Sequence, residues 1–299
     1  MLTTISLRSY LLCLTISACS SLGTSSTQPI LSDGTPLRKF GFSDVSDNGA
    51  LLKTYLRKPP AFGNTTSQHE TINSITIYIE GDGAAWVAKQ FAPTNPTPSH
   101  ALSAELAKQD PGLLVAYLGR PCQFLDQGLL KSCHSDLWTS GRFSQQAISL
   151  GNIAIDSLLQ KLESSNLKNL RLNLVGYSGG GAYAALLAGQ RSDVDCLVTI
   201  AAPLDINAWT SLQKIAPLSS SLNPANPMTR LSRVSQSHWH GIKDPIVPPE
   251  STGSYPKNNS SADTRFNIMP LAKHTEPWVG QWHSFVQASC LHKSIKRSP

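Results

Sequence analysis

Charge is scarce in this chain: 15% of its 299 residues are charged, while 40% are hydrophobic. That balance excludes a disordered tail and a coiled coil, both of which need more charge and less apolar content. Lys and Arg number 25 against 19 Asp and Glu, and the one visible basic cluster, Lys293, Lys296 and Arg297, lies at the C-terminal end. A nucleic-acid partner therefore has no electrostatic footprint here. The apolar run at residues 10–16 is too short to span a bilayer as a helix. No G-x-G-x-x-G follows the first buried strand, so the signature of a nicotinamide or flavin enzyme is missing and no cofactor is implied. His238 and His240 alternate on one strand, yet they have no third ligand at a sensible spacing, and the cysteines show no zinc pattern. Internal repeats are absent. What remains is enough apolar sequence to bury one large core in a single domain.

The N-terminus reads as an export signal. Arg8, the short apolar run, and then Ser17, Ala18 and Cys19 form a charged start, an apolar middle and small residues before a cut. Ile16-Ser17-Ala18-Cys19 also resembles the lipobox of bacterial lipoproteins. The resemblance implies cleavage before Cys19 and acylation of the new terminus, with residues 1–18 as signal peptide and 19–37 as a tether rich in Ser and Thr. Several acyl chains on one cysteine would anchor the protein stably, where one chain gives only marginal binding. Ser20 in the next position, by resemblance to lipoprotein sorting rules, points to the outer membrane and a domain facing the periplasm. The alternative is an ordinary signal peptide in which Cys19 is a thiol. Cys13 would leave with the signal, so four of the six cysteines remain in an oxidising compartment, enough for two disulfides.

From residue 38 onward, apolar runs alternate with helical patterns. Runs 38–45 and 51–57 flank Asp47-Asn48-Gly49 and read as a β-hairpin, followed by a polar connector at 59–73. Segments 74–79 (SITIYI), 112–118, 170–177 and 196–201 are charge-poor runs of the kind covered on both faces of a sheet. Helices are expected at 99–109, 144–163 and 179–190, and residues 119–141 read as irregular. Residues 205–234, full of Ser, Pro and Asn, read as a small insertion with some helix, and 237–241 and 265–269 as two last strands. Pro277 fits the first turn of a closing helix. The alternation argues for an α/β domain with a mostly parallel sheet and helices on both faces.

Gly176-Tyr177-Ser178-Gly179-Gly180 is a G-x-S-x-G motif. A buried strand runs into it and a small-residue helix runs out, which puts Ser178 on a sharp turn at a helix N-terminus. Free N–H groups there favour a developing oxyanion. A serine nucleophile needs a base, and the base needs an orienting acid. Downstream, Asp244 follows the strand at 237–241 and His274 follows the strand at 265–269, so both fall on the same sheet edge as Ser178. Asp205, after the strand ending at Ala201, is the alternative acid, and His283, well inside the last helix, is a worse base.

With these motifs in place, residues 38–292 resemble the α/β-hydrolases. More narrowly they resemble bacterial α/β-hydrolase-like lipoproteins that carry Tyr78-Ile79-Glu80-Gly81-Asp82-Gly83, Arg120-Pro121-Cys122-Gln123 and the Gly-Tyr-Ser-Gly-Gly-Gly elbow. The resemblance implies an α/β-hydrolase fold of about eight strands, with the insertion after the sixth. It implies a Ser178, His274, Asp244 triad with the N–H groups of Asp82 and Gly179 as oxyanion donors. Glu80-Gly81 stands where the family has His-Gly, and two carboxylates would oppose an anion unless they are paired or turned away. Arg120 is a candidate partner for one of them. Together with Trp86 it is also a candidate for contacting substrate. The expected function is a lipid-anchored serine hydrolase of the cell envelope that cleaves small-molecule or lipid esters through an acyl-enzyme. An acyltransferase or peptidase with the same triad, and a non-catalytic binding lipoprotein on this fold, are the alternatives.

The disulfide pairing follows from the expected topology. Cys122 and Cys133 bracket one loop, and Cys196 and Cys290 reach the sheet end opposite the catalytic one, unless those two are separate buried thiols. The anchor is tested by Cys19→Ser. Mass spectrometry of cell fractions should show an uncut, unacylated precursor, whereas a normally processed soluble product would mean an ordinary signal peptide.

Overall fold

The computed structural model describes residues 27–58, 72–85 and 91–292. Cys19, Trp86, the basic C-terminal cluster and most of the 59–73 connector lie outside the described residues. The elements run, in chain order, β1 (Phe42–Asp44), β2 (Thr54–Arg57), β3 (Ser74–Ile79), α1 (Leu102–Gln109), β4 (Val115–Leu118), α2 (Gln127–Leu130), α3 (Gln145–Glu163), β5 (Arg171–Tyr177), α4 (Gly179–Gln190), β6 (Val194–Ile200), α5 (Ile206–Leu212), β7 (Ser235–Gly241), α6 (Tyr255–Asn259), β8 (Thr264–Met269) and α7 (Trp282–Ala288). They build one eight-stranded sheet of order β1-β2-β4-β3-β5-β6-β7-β8. The β1-β2 hairpin and the β2-β4 pair are antiparallel, and every other pairing is parallel. Among the described residues no helix is long and apolar enough to cross a membrane.

Period-two alternation explains the two cores. Ile75, Ile77 and Ile79 of β3 and Leu172 and Leu174 of β5 join the side chains of α3 and α4 on one face. Tyr78, Val175, Tyr177 and Val198 face the other way, onto α1 and α7. Burial of Trp278 and Trp282 in this second core is complete, and each such side chain contributes roughly 2–3 kcal/mol. The chain steps from β3 to β4 in one direction and then returns to β5 on the far side of β3. Right-handed crossovers then send α1 and α3 to opposite faces. The strand order reverses between β3 and β5, and in open α/β sheets ligands bind outside the carboxyl ends of the strands at such a point.

The closing helix differs from expectation. It begins at Trp282, not at Pro277, and His283 is its second residue. Residues 273–281 instead form turns, with the N–H of Lys273 donating to Glu276 O (2.8 Å) and that of Gln281 to Pro277 O (3.1 Å), and they seat Trp278 in the core. A proline near an expected helix start is a local cue, and here burial of the neighbouring tryptophan outweighs it. The stretch 119–141 likewise contains α2, capped by Asp126, which accepts from the N–H groups of Gly128 and Leu129.

Both disulfides are present, Cys122–Cys133 and Cys196–Cys290, with Cα separations of 6.1 and 5.7 Å. The second pins the chain just beyond α7 to β6 across 94 residues. Replacing both Cys196 and Cys290 by Ser should lower stability by about 4 kcal/mol through the released unfolded chain. Urea denaturation of wild type and variant measures this, and equal midpoints would contradict it.

Candidate active site

The site is built on a backbone that only the elbow's glycines permit. Ser178 has φ 52° and ψ −129°, a region costly for any side-chain-bearing residue. A Cβ on Gly176 would lie 2.3 Å from Gly180 O, and one on Gly180 would lie 2.4 Å from the carbonyls of Ile79 and Glu80. Both contacts are with backbone, which cannot move aside. The N–H of Ser178 donates to Ile200 O (2.8 Å), which ties the turn to β6. The elbow is thus wedged between the ends of β3 and β6, with Ser178 just beyond the carboxyl end of β5.

His274 stands between Ser178 and Asp244. Its Nε2 is 3.1 Å from Ser178 Oγ, and its Nδ1 is 2.8 Å from Asp244 Oδ2. Asp244 is buried, and its other oxygen accepts the N–H groups of Ile246 (2.8 Å) and Val247 (2.9 Å). The loop carrying His274 is held by its own carbonyl, which accepts from Trp278 Nε1 (2.7 Å) and from the Tyr177 hydroxyl (3.2 Å). Neither Tyr177 nor Trp278 carries a sequence signal for this role, because each acts through a backbone oxygen.

Asp205 sits elsewhere. It caps α5 through the N–H groups of Asn207 and Ala208, and it accepts further bonds from Asn223 and Ser254. Its carboxylate is therefore occupied, and among the described residues no imidazole is one of its partners. His238 and His240 are buried in β7, where burial lowers their pKa values to about 3 and about 4. Among the described residues no cluster of three or more His, Cys, Asp or Glu is placed to hold a metal ion.

At the end of β3 the two carboxylates find different solutions. Glu80 turns toward α1, where it accepts from Gly81 N–H (2.9 Å), Tyr117 OH (3.0 Å) and Ser103 N–H (3.2 Å). Burial pushes its pKa up to about 7 in spite of these bonds, which removes part of its negative charge. Asp82 is paired twice, Oδ1 with Arg120 Nη1 (2.8 Å) and Oδ2 with Arg142 Nη1 (2.6 Å). Burial acts to raise its pKa, but Arg142 and then Arg120 outweigh it and hold the carboxyl below its usual range. Two arginines against one aspartate leave this cluster net positive. The Asp82 carboxylate also fills the space over Gly179, where a Cβ would lie 2.0 Å from Oδ1. Gly179 opens α4, so its N–H has no partner within the helix, and the N–H of Asp82 has no acceptor among the described residues.

Arg120, a candidate for contacting substrate, is buried in this cluster. It is 3% exposed, its other Nη donates to Arg142 O (2.7 Å), and its guanidinium packs over the rings of Tyr183 and Phe143. Its Nη1 pairs with Asp82, one of the two carboxylates at the end of β3. Arg142 carries no sequence signal for this role: it lies 60 residues from Asp82, between the irregular stretch 119–141 and the helix expected from 144, and nothing local marks it.

A scan of protein-family models finds no match, and neither does a search of the curated proteins. Solved structures do resemble this one. Est1E from Butyrivibrio proteoclasticus, solved with ferulic acid bound, superposes with a TM-score of 0.56 at 11% identity, over 85% of this chain and 99% of that one. An esterase from Pyrococcus furiosus gives 0.53 at 12%, covering 91% and 98%. An acylaminoacyl peptidase from Pyrococcus horikoshii gives 0.56 at 11%, covering 86% of this chain and 42% of that one. The fold is that of the α/β-hydrolases, as the sequence motifs implied.

Breaking the arginine clamp should be costly. Arg142→Ala leaves the half-buried Asp82 with Arg120 alone and should lower stability by about 2 kcal/mol at neutral pH, the scale of one hydrogen bond to a charged group. A carboxylate with a depressed pKa stabilises above its unfolded value and loses that contribution as pH falls through its folded one. The gap between wild type and variant should therefore narrow below about pH 4. Denaturant titrations across pH measure it, and a gap independent of pH would contradict the ion-pair account.

Proposed function

We propose that this chain is a serine hydrolase that cleaves carboxylic esters through an acyl-enzyme, held to the cell envelope by an acylated Cys19. The observation that carries the reading is the pair of hydrogen bonds through His274, 3.1 Å to Ser178 and 2.8 Å to Asp244. In this reading Ser178 Oγ attacks the ester carbonyl carbon while its proton passes to His274 Nε2. Asp244 accepts the Nδ1–H, fixes that tautomer and stabilises the imidazolium. Negative charge grows on the carbonyl oxygen, facing the N–H groups of Gly179 and Asp82. The net positive Asp82, Arg120 and Arg142 cluster behind them adds a field of the right sign. Collapse of the tetrahedral intermediate expels the alcohol, which takes the proton back from His274. Water then repeats the sequence on the acyl-enzyme, which returns Ser178 and releases the acid.

Esterases among the similar folds support ester substrates. The peptidase of the same fold sustains a second reading, a peptidase or acyltransferase with the same three residues, which differs only in the acyl donor or acceptor. A binding lipoprotein without catalysis has less support, because such a protein would need no intact chain of hydrogen bonds from Asp244 to Ser178. The lipobox resemblance and Ser20 support placement in the outer membrane, facing the periplasm.

On p-nitrophenyl esters of graded chain length, Ser178→Ala should lower kcat/KM by roughly four orders of magnitude or more with the fold intact. Asp244→Asn should cost about a thousandfold or more in kcat, and Asp205→Asn far less. A Ser178→Ala variant retaining a tenth of the wild-type rate would sink the nucleophile, and the reverse order of the two aspartates would move the acid to Asp205.

A further inference from the structure

Large apolar side chains in water are unevenly distributed over the described residues. Apart from Ile153 on α3, they lie toward the carboxyl ends of the strands: Phe91 after β3, Leu212 on α5, Ile242 and Ile246 after β7, and Ile268 and Leu271 at the end of β8. Leu271 is 75% exposed and Ile242 58%. Hydrogen bonds join their loops into one rim. The N–H groups of Ile242 and Lys243 donate to Met269 O and Ala272 O (both 3.0 Å). Trp209 Nε1 and Gln213 Nε2 of the insertion both bond to Ile246 O (2.8 and 2.9 Å). Asp244 and His274 sit on these same loops, so the rim borders the proposed site.

Scattered exposed aliphatic residues are ordinary, but a linked cluster beside a site points to something that covers it. The chemistry of the rim narrows what that is. Each of its loops carries an exposed lysine next to the aliphatic tips, Lys214, Lys243 and Lys273, of which Lys273 is paired with the exposed Glu276 (3.6 Å). Protein interfaces are enriched in aromatics and arginine and depleted in lysine. Aliphatic tips ringed by lysines suit the headgroup layer of a membrane, where the tips enter the acyl boundary and the ammonium groups stay at the phosphates. The first described residues point the same way. Ile30 O accepts from Ala101 N–H at the start of α1 (2.9 Å), and two residues on Ser103 N–H reaches Glu80 at the carboxyl end of β3. The N-terminal segment thus meets the domain at the end of the sheet that carries Ser178.

We infer that the rim of residues 212–214, 242–246 and 268–273 docks on the surface of a bilayer containing anionic phospholipid and delivers lipid-borne esters directly to Ser178. The delivery half rests on the serine-hydrolase reading, while the docking half does not. The full-length exported protein carrying Leu271→Cys, labelled with nitrobenzoxadiazole, is mixed with phosphatidylglycerol vesicles and, separately, with phosphatidylcholine vesicles. Emission should rise about twofold with the anionic vesicles as the dye enters lipid, less with the neutral ones, and hardly at all when the same dye sits at Ile153→Cys. An equal response at both positions, or none at residue 271, overturns the docking.

Ile242→Ser combined with Leu271→Ser should reduce hydrolysis of a vesicle-borne long-chain ester about tenfold while leaving p-nitrophenyl acetate turnover unchanged. Equal loss on both substrates, or loss on neither, overturns delivery at this rim. A wild-type dimer that the double variant dissociates would assign the rim to a second copy and overturn the membrane reading. Absence of any p-nitrophenyl acetate turnover in the wild type would remove the hydrolase reading alone, and the dye response would still decide docking.

Discussion

One backbone conformation organises this molecule: the turn at Ser178, with φ 52° and ψ −129°, between β5 and α4. Such a conformation costs of order 1–3 kcal/mol and persists only when its surroundings over-determine it. Here they do so by close approach. The absence of side chains at Gly176 and Gly180 lets the start of α4 close onto the carbonyls of Ile79 and Glu80, while the N–H of Ser178 is held by β6. The strained residue, the first turn of α4 and the end of β3 are therefore one rigid unit. The loops after β7 and β8 need only bring Asp244 and His274 to a serine whose position is already set.

The electrostatics of the same unit show what a buried charge requires. Asp82 lies over Gly179, beside the place where negative charge would develop, and alone it would oppose that charge. Two buried arginines reverse the sign of its field. Among the described residues, Arg120 Nη2 also donates to Arg142 O and Arg142 Nε to Thr139 O, so each guanidinium is held by backbone as well as by Asp82. Glu80 solves the neighbouring problem differently, by partial neutrality, because burial lifts its pKa to about 7.

Much of this was legible in the sequence, for physical reasons. Strands covered on both faces leave charge-free runs, so SITIYI marked β3 to the residue, and the G-x-S-x-G between an apolar run and a small-residue helix marked the elbow. Chain order and strand ends brought His274 and Asp244 to the edge that carries Ser178. They could not choose between Asp244 and Asp205, because both follow a strand's carboxyl end, and the choice depends on which carboxylate other groups occupy. The α5 N-terminus, Asn223 and Ser254 take Asp205. Arg142 was invisible because ion pairing between residues far apart in the chain leaves no periodicity. Pro277 misled because a proline cue is local and the burial of Trp278 is not. The anchor at Cys19 lies outside the described residues and rests on the lipobox resemblance.

The central claim is that the bonded trio makes Ser178, alone among the chain's many serines, a nucleophile. The most direct measurement is reaction of the folded protein with a fluorophosphonate, followed by tandem mass spectrometry of the peptides. The account predicts a single adduct on Ser178 that is lost when the protein is unfolded before exposure. An adduct on another serine, or a folded, correctly disulfide-bonded protein that takes no label, would contradict it.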